Sequence, residues 1–399
     1  MNRSAILFLS LVATLHASAQ VCYTLDDCLK AAIDRSPQIR QAEMARDMAA
    51  VAYGQTLTDY LPDVVLRNER TCSAGQSDYG ASLEASALIF SGFGRVQSRR
   101  KAKTAVESGI IEMRLARSTV SLDISALFYK ILQDKEMIAI NENRLSLLSE
   151  QEKLIGRKVS LKAAVQSDLT SVHADMAGVR SELQSALRDY NSDRISICEL
   201  LGIEDWRNFD VEDDDSIRIA ETVVDVEAMP QLQIAALQTH MAEREIGIAK
   251  SVLWPEMLLG AGISCNKAEN WNRYLCVSVE IPVTRIVSGI RDVRMKRLSL
   301  AVEQSKEDET RLAVDSQLKL AVSELESAYD RYGLLMSEQE LYAAVLSDAR
   351  RKYELGAATY FECQTAMSSL YQAQSRLAQS KYECLLRMRV LRILLDSGK

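Results

Sequence analysis

Apolar residues recur at alternating intervals of four and three along much of this chain. From Val120 the series runs Ile124, Leu127, Ile131, Asp134, Ile138, Asn141, Leu145, Leu148, Glu152, Ile155, Val159, and nine of its twelve positions are apolar. A 3.5-residue period held this long is a coiled-coil seam. Moved on by 194 residues, the series reads Val314, Leu318, Ala321, Leu325, Ala328, Tyr332, Leu335, Gln339, Tyr342, Leu346, Ala349, Tyr353, where Gln339 alone is strongly polar. The two seams predict very long helices over roughly 92–158 and 289–354, each about 65 residues and about 100 Å at 1.5 Å per residue.

The prolines show that the duplication is general. Pro37 and Pro62 stand at the same interval as Pro230 and Pro255, with an offset of 193. Their contexts agree: Ser36-Pro37-Gln38-Ile39 parallels Met229-Pro230-Gln231-Leu232, and Tyr60-Leu61-Pro62 parallels Leu253-Trp254-Pro255. Proline suits a helix start, and the residue before a proline is pushed out of the α region. Each half therefore opens with a helix, Pro37 to Tyr60 and Pro230 to Leu253. A short break at Leu161-Lys162-Ala163-Ala164, and again at Leu355-Gly356-Ala357-Ala358, separates each long helix from a return helix ending near Leu201 and Leu395.

Between the short and long helices the period changes to two, which is the strand signature. Met257, Leu259, Ala261 and Ile263 alternate with Leu258, Gly260, Gly262 and Ser264; Leu275, Val277, Val279 and Ile281 alternate with Tyr274, Cys276, Ser278 and Glu280. In the first half Ala81, Leu83, Ala85, Ala87 and Ile89 alternate with Ser82, Glu84, Ser86 and Leu88. The strand before it, about Asp63–Cys72, is interrupted by Arg67, Glu69 and Arg70, so either Arg70 lies at a rim or a bulge shifts the register. Segments of about 9–12 residues suit a tilted membrane strand, with one apolar face for lipid and a small or polar face for a lumen. A soluble sheet packed on helices shows the same alternation. Four strands close no barrel, since small barrels need about eight, so a membrane sheet of this kind must be shared between copies.

The first residues carry Arg3, the apolar run Ile6–Ala13 and Ala17-Ser18-Ala19, the pattern of a cleaved export signal over 1–19. Gln20 and Val21 before Cys22 fit a lipobox poorly. No later segment has the roughly 18–20 continuous apolar residues of a spanning helix. The domain plan is thus a signal at 1–19, a first repeat at 20–203 with its hairpin at about 63–90, an insertion at 204–229, and a second repeat at 230–399 with its hairpin at about 256–283. The insertion carries Glu212-Asp213-Asp214-Asp215 and lacks the heptad, which fits a small irregular element or a solvated linker.

Composition narrows the chemistry. Gly and Pro number only 16 and 5 in 399 residues, as long helices require. The net charge of −7 and the lack of a basic aromatic patch argue against nucleic acid. The eight cysteines fit no metal spacing. Cys265 and Cys276 flank a polar stretch and are either a hairpin bridge or two thiols. With no phosphate loop, no nucleophile motif and no metal cluster, an enzyme is not expected, nor a cofactor.

The order of these features resembles the TolC-like outer-membrane factors over essentially the whole mature chain. Tyr23-Thr24-Leu25-Asp26-Asp27-Cys28-Leu29-Lys30-Ala31-Ala32 is similar to that family's opening helix, Leu88-Ile89-Phe90-Ser91-Gly92-Phe93-Gly94 to its strand-to-helix junction, and Tyr353-Glu354-Leu355-Gly356 to the turn near its periplasmic tip. The resemblance implies a mainly α homotrimer, a helical barrel joined to a shared 12-strand β-barrel in the outer membrane. It implies a passive conduit for efflux or type I secretion, working with a periplasmic adaptor (membrane fusion protein) and an inner-membrane pump of RND or ABC type. The insertion would join an equatorial band.

On the same grounds the gate falls to Glu362, Asp168 and Tyr353, although Thr365 and Ala358 stand where the family carries a second carboxylate and an arginine. The tip turns Leu161, Lys162, Ala163, Ala164, Leu355, Gly356, Ala357 and Ala358 resemble adaptor-docking segments. The lipid-facing set is Leu83, Ile89, Met257, Leu259, Ile263, Leu275, Val277, Val279 and Ile281. A competing expectation is a periplasmic coiled-coil adaptor or scaffold whose hairpins stay out of lipid.

Overall fold

The computed structural model describes residues 21–73, 76–212, 228–266, 271–281, 283 and 285–397. The export signal and most of the acidic run lie outside them. In chain order the elements are β1 (Val21–Tyr23), α1 (Leu25–Arg35), α2 (Pro37–Thr58), β2 (Asp63–Ser73), β3 (Gln76–Ser91), α3 (Gly94–Ser160), α4 (Gln166–Leu201), a 3-10 turn at Trp206–Asn208, β4 (Phe209–Val211), α5 (Pro230–Ser251), β5 (Glu256–Asn266), β6 (Trp271–Glu280), α6 (Arg285–Glu354) and α7 (Tyr360–Ser397). No described helix is long and apolar enough to cross a membrane. Pro37 and Pro230 sit in the first turn of α2 and α5, as the fixed φ of proline favours. The seam is real on both sides of the repeat: none of its positions, Val120 to Val159 or Val314 to Tyr353, is exposed.

Two compact units result, and they cut across the repeats. One takes residues up to Ala32, Ile124–Ser216 and Leu335–Tyr382; the other takes Ile33–Asp123, Ile217–Leu334 and Glu383 onward.

In the first unit Leu148 and Ile155 of α3, Val172, Met176 and Val179 of α4, Leu346 of α6, and Tyr360, Cys363, Ala366 and Met367 of α7 form one buried cluster. The N-terminal strand β1 pairs in parallel with β4, Val21 opposite Phe209 and Tyr23 opposite Val211, and the rings of Tyr23 and Phe209 stack at 5.1 Å. The buried guanidinium of Arg194 bonds the carbonyls of Arg207 and Phe209, and Lys135 bonds Asp210 at 2.8 Å. Thr24 starts α1 as a capping residue, its Oγ1 donating to Asp27 Oδ2 at 2.7 Å and accepting from the Asp27 N–H.

The second unit holds the antiparallel sheet, in the order β2-β3-β5-β6. Leu325 and Ala328 of α6 bury against Cys384 of α7. Glu245 of α5 joins Lys101 of α3 and Lys296 of α6, each at 2.7 Å, and these cations hold its carboxyl below the usual range.

Candidate lipid-facing sheet and helical tip

The ladder assigns every strand residue to a face. Leu66 pairs with Leu83 and Leu83 with Ile263; Ala87 pairs with Leu259 and Leu259 with Val277; Met257 pairs with Val279 and Ala261 with Leu275. This face is apolar and open: Leu66 is 77% exposed, Leu275 76% and Val277 62%. The opposite face carries Ser82, Glu84 and Ser86, then Gly260, Gly262 and Ser264, then Cys276, Ser278 and Glu280. A Cβ on Gly262 would lie 2.6 Å from the ring of Tyr274, so glycine leaves the room in which that ring crosses the polar face.

Strand β2 is unbroken over 11 residues, and no bulge relieves its charges. Arg67 and Glu69 pair with Ser82 and Gly80, on the polar face; Arg70 alone points to the apolar side, three residues from the strand's far end. The bulge lies instead in β3, where the register skips between Leu88 and Phe90 and leaves Ile89 without a partner position. Ile281 follows the last residue of β6 rather than lying in it. A Cys265–Cys276 bridge is ruled out. The first pairs with Trp271 and the second with Gly260, five positions apart and on opposite faces, about 17 Å along the strand.

The tip turns of the first unit form a matched pair. Lys162 N–H bonds Val159 O and Ala163 N–H bonds Lys158 O; Gly356 N–H bonds Tyr353 O and Ala357 N–H bonds Lys352 O. Each is a Schellman cap, in which the fifth residue takes a left-handed backbone. Gly356 has φ +74°, as glycine easily does, but Lys162 holds φ +60° with a side chain.

Two of the three gate candidates also serve the local fold. Glu362 is exposed at the third position of α7, where its N–H bonds Thr359 Oγ1 and its carboxylate accepts from the same hydroxyl at 3.2 Å, so Thr359 caps the helix start and Glu362 holds the capping hydroxyl. Tyr353 packs edge-on to Tyr360, with rings 6.2 Å apart, and carries the Lys158 ammonium 4.0 Å above its centroid. Burial, then the nearby Asp168 carboxylate, raises the Tyr353 phenol above its usual range. Asp168, half-buried in the first turn of α4, is thereby placed beside Tyr353. Missed from the sequence was Asp175, which accepts from Tyr360 at 3.4 Å and from Gln364 at 2.6 Å. Its position about two turns past Asp168, on the same helix face, is the signal in the sequence that marked it. Beside these residues a groove of about 430 Å³ runs between α6 and α7, lined by Tyr342, Val345, Lys352, Phe361, Glu362 and Thr365 among others. Leu161 and Leu355 are 77% exposed at the turns.

No known family profile and no curated protein matches the chain. Solved structures do match. CusC, described for the conformational changes of transmembrane channel formation, superimposes with a TM-score of 0.83 at 15% identity, over 94% of this chain and 93% of its own. The outer membrane protein VceC of Vibrio cholerae gives 0.78 at 15%, over 93% and 95%. The CmeC outer membrane channel of Campylobacter jejuni gives 0.81 at 12%, over 94% and 86%. The fold is therefore that of the TolC-like outer-membrane channel proteins, mainly α with a four-stranded β part in each chain.

Proposed function

We propose that this chain is the protomer of an outer-membrane efflux channel. It is a passive, non-enzymatic conduit whose sheet contributes four strands to a barrel of about twelve shared by three copies. The observation that carries the proposal is the sheet itself. One face is apolar and exposed over most of its length, with Arg70 and Arg273 toward the hairpin-turn end, the other is mostly small or polar, and its outer strands β2 and β6 end the ladder, a form lipid accepts only when the edges are joined to others. Full-length likeness to channel proteins supports the same reading.

In this reading the tip turns Leu161–Ala164 and Leu355–Ala358 dock a periplasmic adaptor, which couples the duct to an inner-membrane pump of RND or ABC type. Glu362, Asp168 and Tyr353 narrow the entrance, and a threefold ring of Glu362 gives a field favouring cations.

Membrane fractionation followed by the mass of the detergent-extracted particle tests the proposal. A trimer of the mature chain in the outer membrane is expected. A soluble periplasmic monomer or dimer would overturn it in favour of a coiled-coil scaffold.

A further inference from the structure

The two hairpins pair in the same register. Asp63 opposite Ser86 corresponds to Glu256 opposite Glu280, Leu66 opposite Leu83 to Leu259 opposite Val277, and Cys72 opposite Ser77 to Cys265 opposite Trp271. The first strand of each hairpin advances by 193 residues and the second by 194. Helix contacts keep the same shift. Arg95 stacks over Tyr60 where Gly289 meets Leu253, and Arg46 reaches Met113 where Thr239 bonds Glu307. The strand-to-helix junctions depart from this match, since Gly92 and Phe93 are left-handed while the matching residues of α6 are already helical.

Where the first repeat meets the second inside the chain, β3 pairs with β5 and α3 packs on α5. Gln97 Cγ lies 2.8 Å from where a Cβ on Gly247 would be, and Lys101 bonds Glu245 at 2.7 Å. Taking the same step from the second repeat outward requires the first repeat of another copy. Ser86 opposite Gly260 then becomes Glu280 opposite Arg67. Ala85 opposite Ala261 becomes Val279 opposite Asn68, Gln97 over Gly247 becomes Arg291 over Gly54, and Lys101 with Glu245 becomes Met295 with Ala52.

The surfaces fit this step. A Cβ on Gly54 would meet nothing within 4 Å, unlike one on Gly247. Ala52, Gly54, Arg291 and Met295 are all exposed, whereas Gln97, Lys101, Glu245 and Gly247 are half-buried. Arg67 and Glu280 are exposed on the polar faces of the two outer strands, and neither has an ion pair among the described residues. Opposite charges directly across an antiparallel pair stabilise it, and like charges there destabilise it.

We infer that β6 and α6 of one copy dock on β2 and α2 of a second copy, with Glu280 opposite Arg67 and Arg291 seated over Gly54. The inference rests on the shared-barrel reading and specifies its joint. A charge inside β2 that disrupts a lone strand is, at such a joint, half of a cross-strand pair. The interface is head-to-tail, so it builds a ring when the rotation closes.

The test uses the full chain with its native cysteines replaced by serine, extracted in detergent. Gly54→Cys with Arg291→Cys, joined by a short bis-maleimide, is expected to give dimer and trimer bands on a denaturing gel. Gln97→Cys with Gly247→Cys, the template pair, is expected to stay at monomer mass. Arg67→Glu and Glu280→Arg, each alone, are expected to lower the trimer fraction about tenfold, and the double exchange to return it to within about twofold. A particle of trimer mass that lacks the Gly54→Cys to Arg291→Cys link, or a double exchange no better than the singles, overturns this joint and leaves the channel standing. Absence of any membrane oligomer overturns both.

Discussion

The first and second repeats share a backbone almost position for position, yet their side chains agree in some places and part company in others. Agreement marks what both copies of the plan must do. On the apolar face of the sheet Leu83 corresponds to Val277 and Leu66 to Leu259; on the polar face Glu84 corresponds to Ser278. Divergence marks what only one copy does. The seam of α3 carries Asp134 and Asn141 where α6 carries Ala328 and Leu335. The cap of α3 carries Lys162 where that of α6 carries Gly356. Facing is thus a property of the fold, while seam polarity and turn strain are properties of one repeat.

The largest effect separates the two faces. Val277→Arg places a charge on the apolar face and is expected to cost about 2–4 kcal/mol per chain if that position lies near mid-bilayer, with trimer insertion falling steeply. Ser278→Arg, one residue on, is expected to insert nearly as the parent does. Outer-membrane yield of folded trimer checks this, and equal losses for the two variants would break the assignment of faces.

A pH measurement addresses the seam. Asp134 is only 9% exposed, and burial, reinforced by its hydrogen bond to Asp193, raises its carboxyl to about 7; Lys130 opposes this shift and Asp189 adds to it. Lys130 itself is held by Asp193 at 3.0 Å. A carboxyl raised in the fold favours the folded state most when protonated. Its contribution is therefore lost as pH climbs from the ordinary value of 3.8 through about 7, and stays lost above. Asp134→Asn removes the titration and is expected to gain about 1–3 kcal/mol at pH 8 and little at pH 4. Asp134→Ala, the residue type of the second repeat, should follow the same trend less the lost hydrogen bond. Unfolding midpoints at the two pH values decide it: an equal gain at both would mean that the seam tolerates an ionised Asp134.

Much of this plan could be read without coordinates because it is periodic. The seam, the proline-bounded helices and three of the four sheet strands announce themselves through spacing alone. What stayed hidden was aperiodic or relational. β1 and β4 are three residues each, too short for any alternation, and exist because they pair with each other. Strand β2 looks broken because Arg67 and Glu69 are read against a lone strand, whereas the ladder sets both on the polar face. The first residues of β3, Gln76 to Gly80, are polar and extend the strand beyond its apolar signal. Glu362 shows the opposite problem. Thr359 three residues before it spells a helix cap, a local role that spacing displays as openly as any gate.

The smallest effect concerns that tip. A non-glycine residue in the left-handed region carries a cost of about 1–2 kcal/mol, against which glycine loses about 0.5–1 kcal/mol of chain entropy. Lys162→Gly is therefore expected to stabilise its turn by up to about 1 kcal/mol, and Gly356→Lys to destabilise its own by a similar amount. A global melt would blur changes of this size, whereas amide exchange reads local opening directly. The informative protons are those of Ala163, bonded to Lys158 O, and Ala357, bonded to Lys352 O. Slower exchange at Ala163 in the first variant and faster exchange at Ala357 in the second would show that the two caps differ only in strain. If Lys162→Gly left Ala163 unchanged, the lysine must already be compensated, and its ammonium, at an exposed turn, becomes the group whose contacts explain why this repeat tolerates a left-handed side chain.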